Sequence, residues 1–366
     1  MKILILGAGS AQVDAIKYCK ENGHEVFGCS YTNNDLGIGL LDHFDQINIV
    51  DHDAILKHVK DHGIEIIYSV GSDIAMPTVS YVSEKLNLPH FVSFKTAEIC
   101  NRKHVLRETL GSDFVGNVKF VCASDKEELE EFSGYPGIIK PVDSQGQRGV
   151  SKVESKEDAI SHFEDAVSYS REKKVILESF LDGPEVSANA YFVNGEMVFC
   201  LVSDRTSFEE FPGGIVKEHY LPCHLLPDVQ RKVIDLCGRV AKSVGVENGP
   251  CYYQIKVQDG EPYLLEVTPR LDGCHMWRLI KYHCNVDLLD VTFKHLLYGT
   301  IDLHELELGS ETANVRTVFM SQPTNTEVKV EEYPDALYEQ WYYKEGEKVK
   351  RMNGYMEKCG YRIENY

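Results

Sequence analysis

The 366-residue sequence predicts an α/β unit of parallel βαβ type, followed by an α+β region built from antiparallel sheets. Two observations carry this. Over the first hundred residues, short β-branched runs alternate with amphipathic stretches, the rhythm of parallel strands joined by crossover helices. From about Val118 onward, paired apolar runs are separated by turn dipeptides, among them Gly183-Pro184, Asn194-Gly195 and Asp259-Gly260, as in hairpins.

In order, Lys2 to Leu6 reads as the first buried strand: its apolar run ends at a glycine turn and meets Asp14 soon after, which argues against a signal peptide. A helix to about Asn22, strands at Glu25 to Ser30 and Gln46 to Val50, a helix near Ala54 to His62 and a strand from Ile64 to Val70 follow. Pro77 to Asn87 reads as a helix, Pro89 to Val92 as a strand and Thr96 to Leu110 as a helix. Further on, Leu226 to Gly245 and Met276 to Tyr298 have helical spacing, and the tyrosine-rich stretch from Ala313 is strand-like.

Lysine and arginine total 38 against 57 acids, and the formal charge of -19 should repel nucleic acid and anionic membranes. Small-molecule chemistry is favoured. No apolar run approaches the roughly 20 residues of a spanning helix. Eleven cysteines scattered without paired spacing point to reduced thiols in the cytoplasm. Cys223-His224 and Cys274-His275 lack further ligands at zinc spacing, so packed side chains are expected there.

Four segments carry chemistry. Gly7-Ala8-Gly9-Ser10-Ala11-Gln12 half matches a dinucleotide turn, but the third glycine and the ribose-binding acid are missing, which favours a plain βα turn. Gly137 to Val150 is an apolar strand that delivers Lys140 and then a glycine loop, Gln147-Arg148-Gly149-Val150, able to pack closely over phosphates. Val175 to Val186 places Glu178 and Glu185 around an apolar strand end, where backbone at Ser179 to Leu181 can meet the edge of a base. In the hairpin of Cys251 to Val257 and Tyr263 to Arg270, alternation lets Gln254, Glu266 and Thr268 converge on one side, an oxygen-rich set suited to magnesium beside phosphates. Arg270 lies just beyond, where it can neutralise a transferring phosphoryl group.

In this order the segments resemble the ATP-grasp superfamily, especially the branch of the carbamoyl-phosphate synthetase large chain, biotin carboxylase and carboxylate-amine ligases. The resemblance covers about residues 1 to 300 and implies a Rossmann-like pre-ATP-grasp domain at 1–95, a small lobe with the lid at 96–182, a large lobe with the metal site at 183–300 and a strand-rich extension at 301–366. It implies Lys103, Lys140 and the Gln147 to Val150 lid on the phosphates, Glu178, Ser179 and Leu181 on the adenine, and Glu185 on the ribose. Gln254, Glu266 and Thr268 would hold Mg2+, with Mn2+ able to substitute, and Arg270 and Arg205 would act on the transferred phosphoryl group. Thr268 stands where relatives carry asparagine and Gln254 is neutral, so one metal is expected and a second is open.

The resemblance further implies that ATP phosphorylates a substrate carboxylate to an acyl phosphate, which an amine captures as an amide. Asp272, His275, Trp277, Arg278 and the loop Thr206 to His219 adjoin the phosphoryl site in sequence and are substrate candidates, although Met276 to Arg278 can equally be a helix start packed on the core. The partners expected are a small carboxylate and an amine, neither nucleic acid nor membrane, with a homodimer as an open option. The alternatives are a carboxylase or carbamoyl-phosphate-type enzyme, a non-catalytic ATP-binding scaffold, and a dehydrogenase on the N-terminal unit.

Overall fold

The computed structural model describes residues 1–143, 149–208, 215–309, 312–350 and 356–366. Strands β1 (Lys2–Leu6), β2 (Glu25–Cys29), β3 (His43–Asp45) and β4 (Ile66–Tyr68) form a parallel sheet in the order β3-β2-β1-β4. Ile3 to Leu6 are fully buried, as the unbroken apolar run requires of a central parallel strand. After β1, Gly7 turns at φ +89, and Gln12 folds back over the turn. Its Oε1 accepts from Gly9 N at 2.8 Å and its Nε2 donates to the Val70 carbonyl. Gln12, standing where a third glycine would let helix and strand pack closely, instead ties the turn to Val70, just beyond β4, through these two bonds.

Several boundaries differ from expectation. Gln46 to Val50 is not a strand; pairing with β2 ends at Asp45, and Asp51 caps the next helix, His52–His62, by accepting from Ala54 N at 3.0 Å. Pro89 to Val92 forms no strand, in keeping with the ladder donor that proline lacks. The stretch read as one helix from Thr96 to Leu110 breaks at Arg102 (φ -108, ψ 106) into Phe94–Asn101 and Lys103–Leu110. Lys103 thus begins a helix. Met276 to Tyr298 likewise divides at Asn285, which is left-handed at φ 62, into Met276–Cys284 and Leu288–Tyr298.

Strands β5 (Phe120–Ala123), β6 (Gly137–Pro141), β7 (Ser151–Val153) and β8 (Val175–Ser179) make an antiparallel sheet in the order β5-β8-β6-β7. It packs on helix Lys156–Ser168 through a core of its own that includes Leu129, Phe132, Ile139, Phe163 and Leu177. The third sheet contains β9 (Glu185–Val193), β10 (Glu196–Ser207), β11 (Val216–Leu221), β12 (Gly249–Gln258), β13 (Glu261–Thr268), β14 (Val315–Pro323), β15 (Tyr338–Trp341) and β16 (Met356–Asn365). Its order is β13-β12-β9-β10-β11-β14-β16-β15, so the C-terminal strands extend the same sheet that carries the hairpin of Glu266. A parallel N-terminal sheet followed by two antiparallel lobes is the fold class expected from the sequence. No helix among the described residues is long and apolar enough to cross a membrane.

Gly71 joins the parallel sheet to the large lobe. Its N-H donates to the Leu271 carbonyl at 3.1 Å, its φ is +66, and a Cβ there would stand 2.7 Å from the Gly273 Cα. Both the backbone conformation and the close approach demand glycine. Gly71→Ala should therefore cost about 1–3 kcal/mol in denaturant unfolding, whereas Gly63→Ala, also at positive φ but with open space around it, should cost less.

Candidate active site

Across β13, β12, β9 and β10 the eight-stranded sheet has one largely apolar and one largely polar face. Val186, Ala188, Val202, Tyr253, Ile255 and Val267 belong to the main core, which also contains Val233, Leu236 and Val240 of helix Pro227–Val244. On the other face the register aligns Glu266 with Gln254, Ser187 and Ser203, and aligns Glu185 with Arg205, His219 and Thr317. Thr268, Tyr252 and Asn189 form a third row. Asn189 Nδ2, Thr268 Oγ1, Thr317 Oγ1 and both ring nitrogens of His219 are buried without hydrogen-bond partners among the described residues. Buried polar groups are ordinarily satisfied, so these atoms stand ready to bond a polar ligand.

Where this face meets the small lobe, a cleft of about 540 Å³ opens. Lys103, Lys140, Val150, Glu178, Ser179, Leu181, Gln254 and Glu266 line it, together with Asp73, Phe180 and Lys256. Lys140 Nζ pairs with Glu178 Oε2, and the buried Arg107 donates from Nε to Glu178 Oε1 at 2.7 Å. Burial alone would raise the Glu178 carboxyl; Arg107 and Lys140 overcome this and hold it at about 2. Lys140 is pushed below the ordinary ammonium range by burial, against the pull of Glu178 and with help from Lys103 and Arg107. The Ser179 N-H donates to Lys119 O and the Phe180 N-H to Pro136 O, whereas the Leu181 N-H meets no acceptor among the described residues. That N-H is available to a ligand edge.

Glu266 sits above the ordinary carboxylate range because of burial and the nearby Asp73, despite Lys103 and Arg270. Such a carboxylate gains from a cation. Gln254 donates from Nε2 to Glu185 at 2.6 Å, which leaves its carbonyl oxygen uncommitted, and Thr268 contributes the unpartnered Oγ1. These donors fit a hard divalent ion of the magnesium type. The two clusters of three His, Cys, Asp or Glu ligands among the described residues lie elsewhere, at Asp45, His58 and His62 and at His219, Asp272 and Cys274.

The remaining candidates divide. Glu185 takes Arg205 Nη1 at 3.0 Å, and the same nitrogen reaches the Tyr252 hydroxyl at 3.2 Å. Arg270 is buried against Asp73, which accepts from Nε at 2.8 Å, and stacks over Tyr252 at 5.2 Å. Gly149 is at φ +69 beside Tyr169 and Pro141; Gln147 and Arg148 lie outside the described residues. Part of the expected loop Thr206 to His219 is strand, since β10 runs through Ser207 and β11 starts at Val216, and 209–214 lie outside the described residues. Asp272 accepts from Cys274 N.

His275, Trp277 and Arg278 do not line the cleft. They clamp Asp14 of helix Ser10–Glu21: Arg278 Nη2 lies 2.9 Å from its carboxylate, Trp277 donates at 3.2 Å and His275 Nδ1 is 3.4 Å away. Burial raises the Asp14 carboxyl, but His275 and Arg278 prevail and hold it at about 2. Arg278 also stacks on Tyr338 at 4.0 Å, and His275 lies flat on Tyr361 at 4.1 Å. Arg278 also lines a separate cavity of about 630 Å³ with Lys281, Tyr282 and His283.

Sequence reasoning assigned no role to Arg107, Asp73 or Asn189, and took His219 only as the end of the substrate-candidate loop from Thr206. Arg107 lies one helical turn after Lys103, a spacing that puts both on one face. Asp73 follows the carboxyl end of β4, where open parallel sheets bind ligands. The alignment of His219 with Arg205 and Thr317 carried no local signal, because those neighbours come from other strands.

Residues 133–277 match the ATP-grasp domain family. The match places an ATP-grasp domain within the chain, and over most of its length the chain is similar to ligases and synthetases. It is 25% identical over 301 residues to formate-dependent phosphoribosylglycinamide formyltransferase of Prochlorococcus marinus, covering 78% of this chain and 73% of that one. It is 23% identical over 233 residues to dapdiamide A synthase of Enterobacter agglomerans, covering 60% and 54%. The L-amino acid ligase structure from Bacillus licheniformis superposes with a TM-score of 0.80 at 16% identity, covering 99% of this chain and 92% of that one.

The Glu178 network sets a pH response. Its carboxyl is held at about 2 against an ordinary 4.5, so its stabilising contribution is complete above pH 4.5 and is lost as pH falls toward 2. Glu178→Gln strands the buried Arg107 and should cost about 3–5 kcal/mol. Denaturant unfolding at stepped pH should show a smaller acid-side slope in this variant; an unchanged slope would contradict the assignment.

Proposed function

We propose that the chain is an ADP-forming carboxylate-amine ligase that works through an acyl phosphate. The observation that carries this reading is the convergence of Lys103, Lys140, Glu178, Leu181, Gln254 and Glu266, from two sheets and a helix start, on one cleft. The names of the ligase and synthase relatives support amide-type products as the class.

In this reading, Lys140 and Lys103 hold the phosphates of ATP, the Leu181 N-H and the Ser179 backbone meet the adenine edge, and Glu185 faces the ribose. Glu266 and Gln254, backed by Thr268, hold magnesium. When bound there, magnesium supplies charge neutralisation to phosphate oxygens. A substrate carboxylate oxygen attacks the γ-phosphorus; the new O–P bond forms as the bond to the β-phosphate oxygen breaks, and ADP leaves. The amine nitrogen then attacks the acyl carbon, phosphate departs with the C–O electron pair, and the nitrogen loses a proton. Positioning and charge compensation carry the first step. Arg270, fixed by Asp73 and Tyr252, keeps positive charge beside that centre without a flexible side chain having to be ordered during turnover.

The test is a matrix of carboxylates and amines, with ADP release and product mass as readouts, and hydroxylamine as a trap for the acyl phosphate. Substrate-dependent ADP and a hydroxamate are expected. No carboxylate-dependent ADP across a broad panel would favour the scaffold alternative. Lys140→Met and Glu266→Gln should each lower kcat by about a hundredfold or more while circular dichroism stays unchanged; full turnover in Glu266→Gln would remove the metal assignment.

A further inference from the structure

Helix His52–His62 runs beside the sheet edge formed by β3, and a spacing of four puts His58 and His62 on one of its faces. Asp45 closes the group from the end of β3. One ligand atom from each of Asp45, His58 and His62 lies within 4.8 Å of the others. The two imidazole centroids are 4.5 Å apart, and both rings pack against Phe27, which holds them side by side.

His58 is 6% exposed, yet its Nε2 has no partner among the described residues and its Nδ1 stands 3.7 Å from Asp45 Oδ2, too far for a hydrogen bond. A buried imidazole left in this way is costly unless a ligand satisfies it. The neighbouring charged groups each have a partner. Lys57 pairs with Asp61, Lys2 Nζ donates to the His62 carbonyl at 2.9 Å, and His43 meets Glu25 at 2.8 Å.

We propose that Asp45, His58 and His62 bind a divalent transition metal of the zinc type, apart from the nucleotide cleft, with water completing a tetrahedron. Two imidazoles and one carboxylate suit zinc, whereas magnesium prefers an all-oxygen set. Asp45 and His62 are exposed, so solvent reaches the fourth position. A metal there would fasten the helix to a strand of only three residues at the sheet edge. The competing cluster of His219, Asp272 and Cys274 is opposed by positive charge from Arg205 and Lys358.

Zinc titration of the full chain, stripped with chelator and kept in excess magnesium, tests the site. One zinc per chain, bound more tightly than about 100 µM, is expected, and His62→Ala and Asp45→Asn, at exposed positions, should each weaken it about tenfold or more. Cys274→Ser should leave it unchanged. Cobalt(II) should give visible ligand-field bands of a tetrahedral site that vanish in His62→Ala. Binding weaker than that limit, binding indifferent to His62→Ala, or binding lost in Cys274→Ser would overturn the proposal.

Discussion

The cleft depends on one buried carboxylate. Glu178 leaves water at the end of β8, and it can remain ionised there only because Arg107 and Lys140 face it. Each contact comes from a different segment: a helix, the strand that leads to the glycine loop, and the strand that leads to the backbone of Leu181. Arg107 also reaches Asn117 at 3.2 Å and the Leu265 carbonyl at 3.3 Å, next to Glu266. A single guanidinium therefore links the small lobe to the hairpin of the large lobe, between Lys140 and Glu266.

A second constraint comes from the N-terminal sheet. Gly71 lets its chain press against Gly273, and two residues later Asp73 meets Arg270. Asp73 then has opposite effects: it anchors the arginine and raises the proton affinity of Glu266. A cation beside Glu266 would offset the charge that Asp73 adds there. The clamp of Arg278, Trp277 and His275 on Asp14 ties the same sheet to the C-terminal strands. Those three residues sit beside the hairpin in sequence and meet Asp14 in space.

Much of the fold was legible in the sequence, because strand runs, turn dipeptides and helical spacing are local signals. Lys140 and Glu266 were legible for the same reason: each ends an apolar strand next to a loop or turn. What escaped was long-range. Glu178 and Arg107 are 71 residues apart, and Arg270 and Asp73 are 197 apart, so neither pair leaves a spacing to read. The helix breaks at Arg102 and Asn285 also escaped, since periodicity continues through both while the backbone does not. His58 and His62 drew no notice as metal ligands because their third partner lies on a neighbouring strand.

The central claim is that the cleft turns a carboxylate into an acyl phosphate. The most direct measurement follows heavy oxygen from a labelled substrate carboxylate, chosen as one that elicits ADP release, into the products. In-line phosphorylation of that carboxylate predicts one labelled oxygen in the phosphate for each amide formed. Unlabelled phosphate at full amide yield would contradict it.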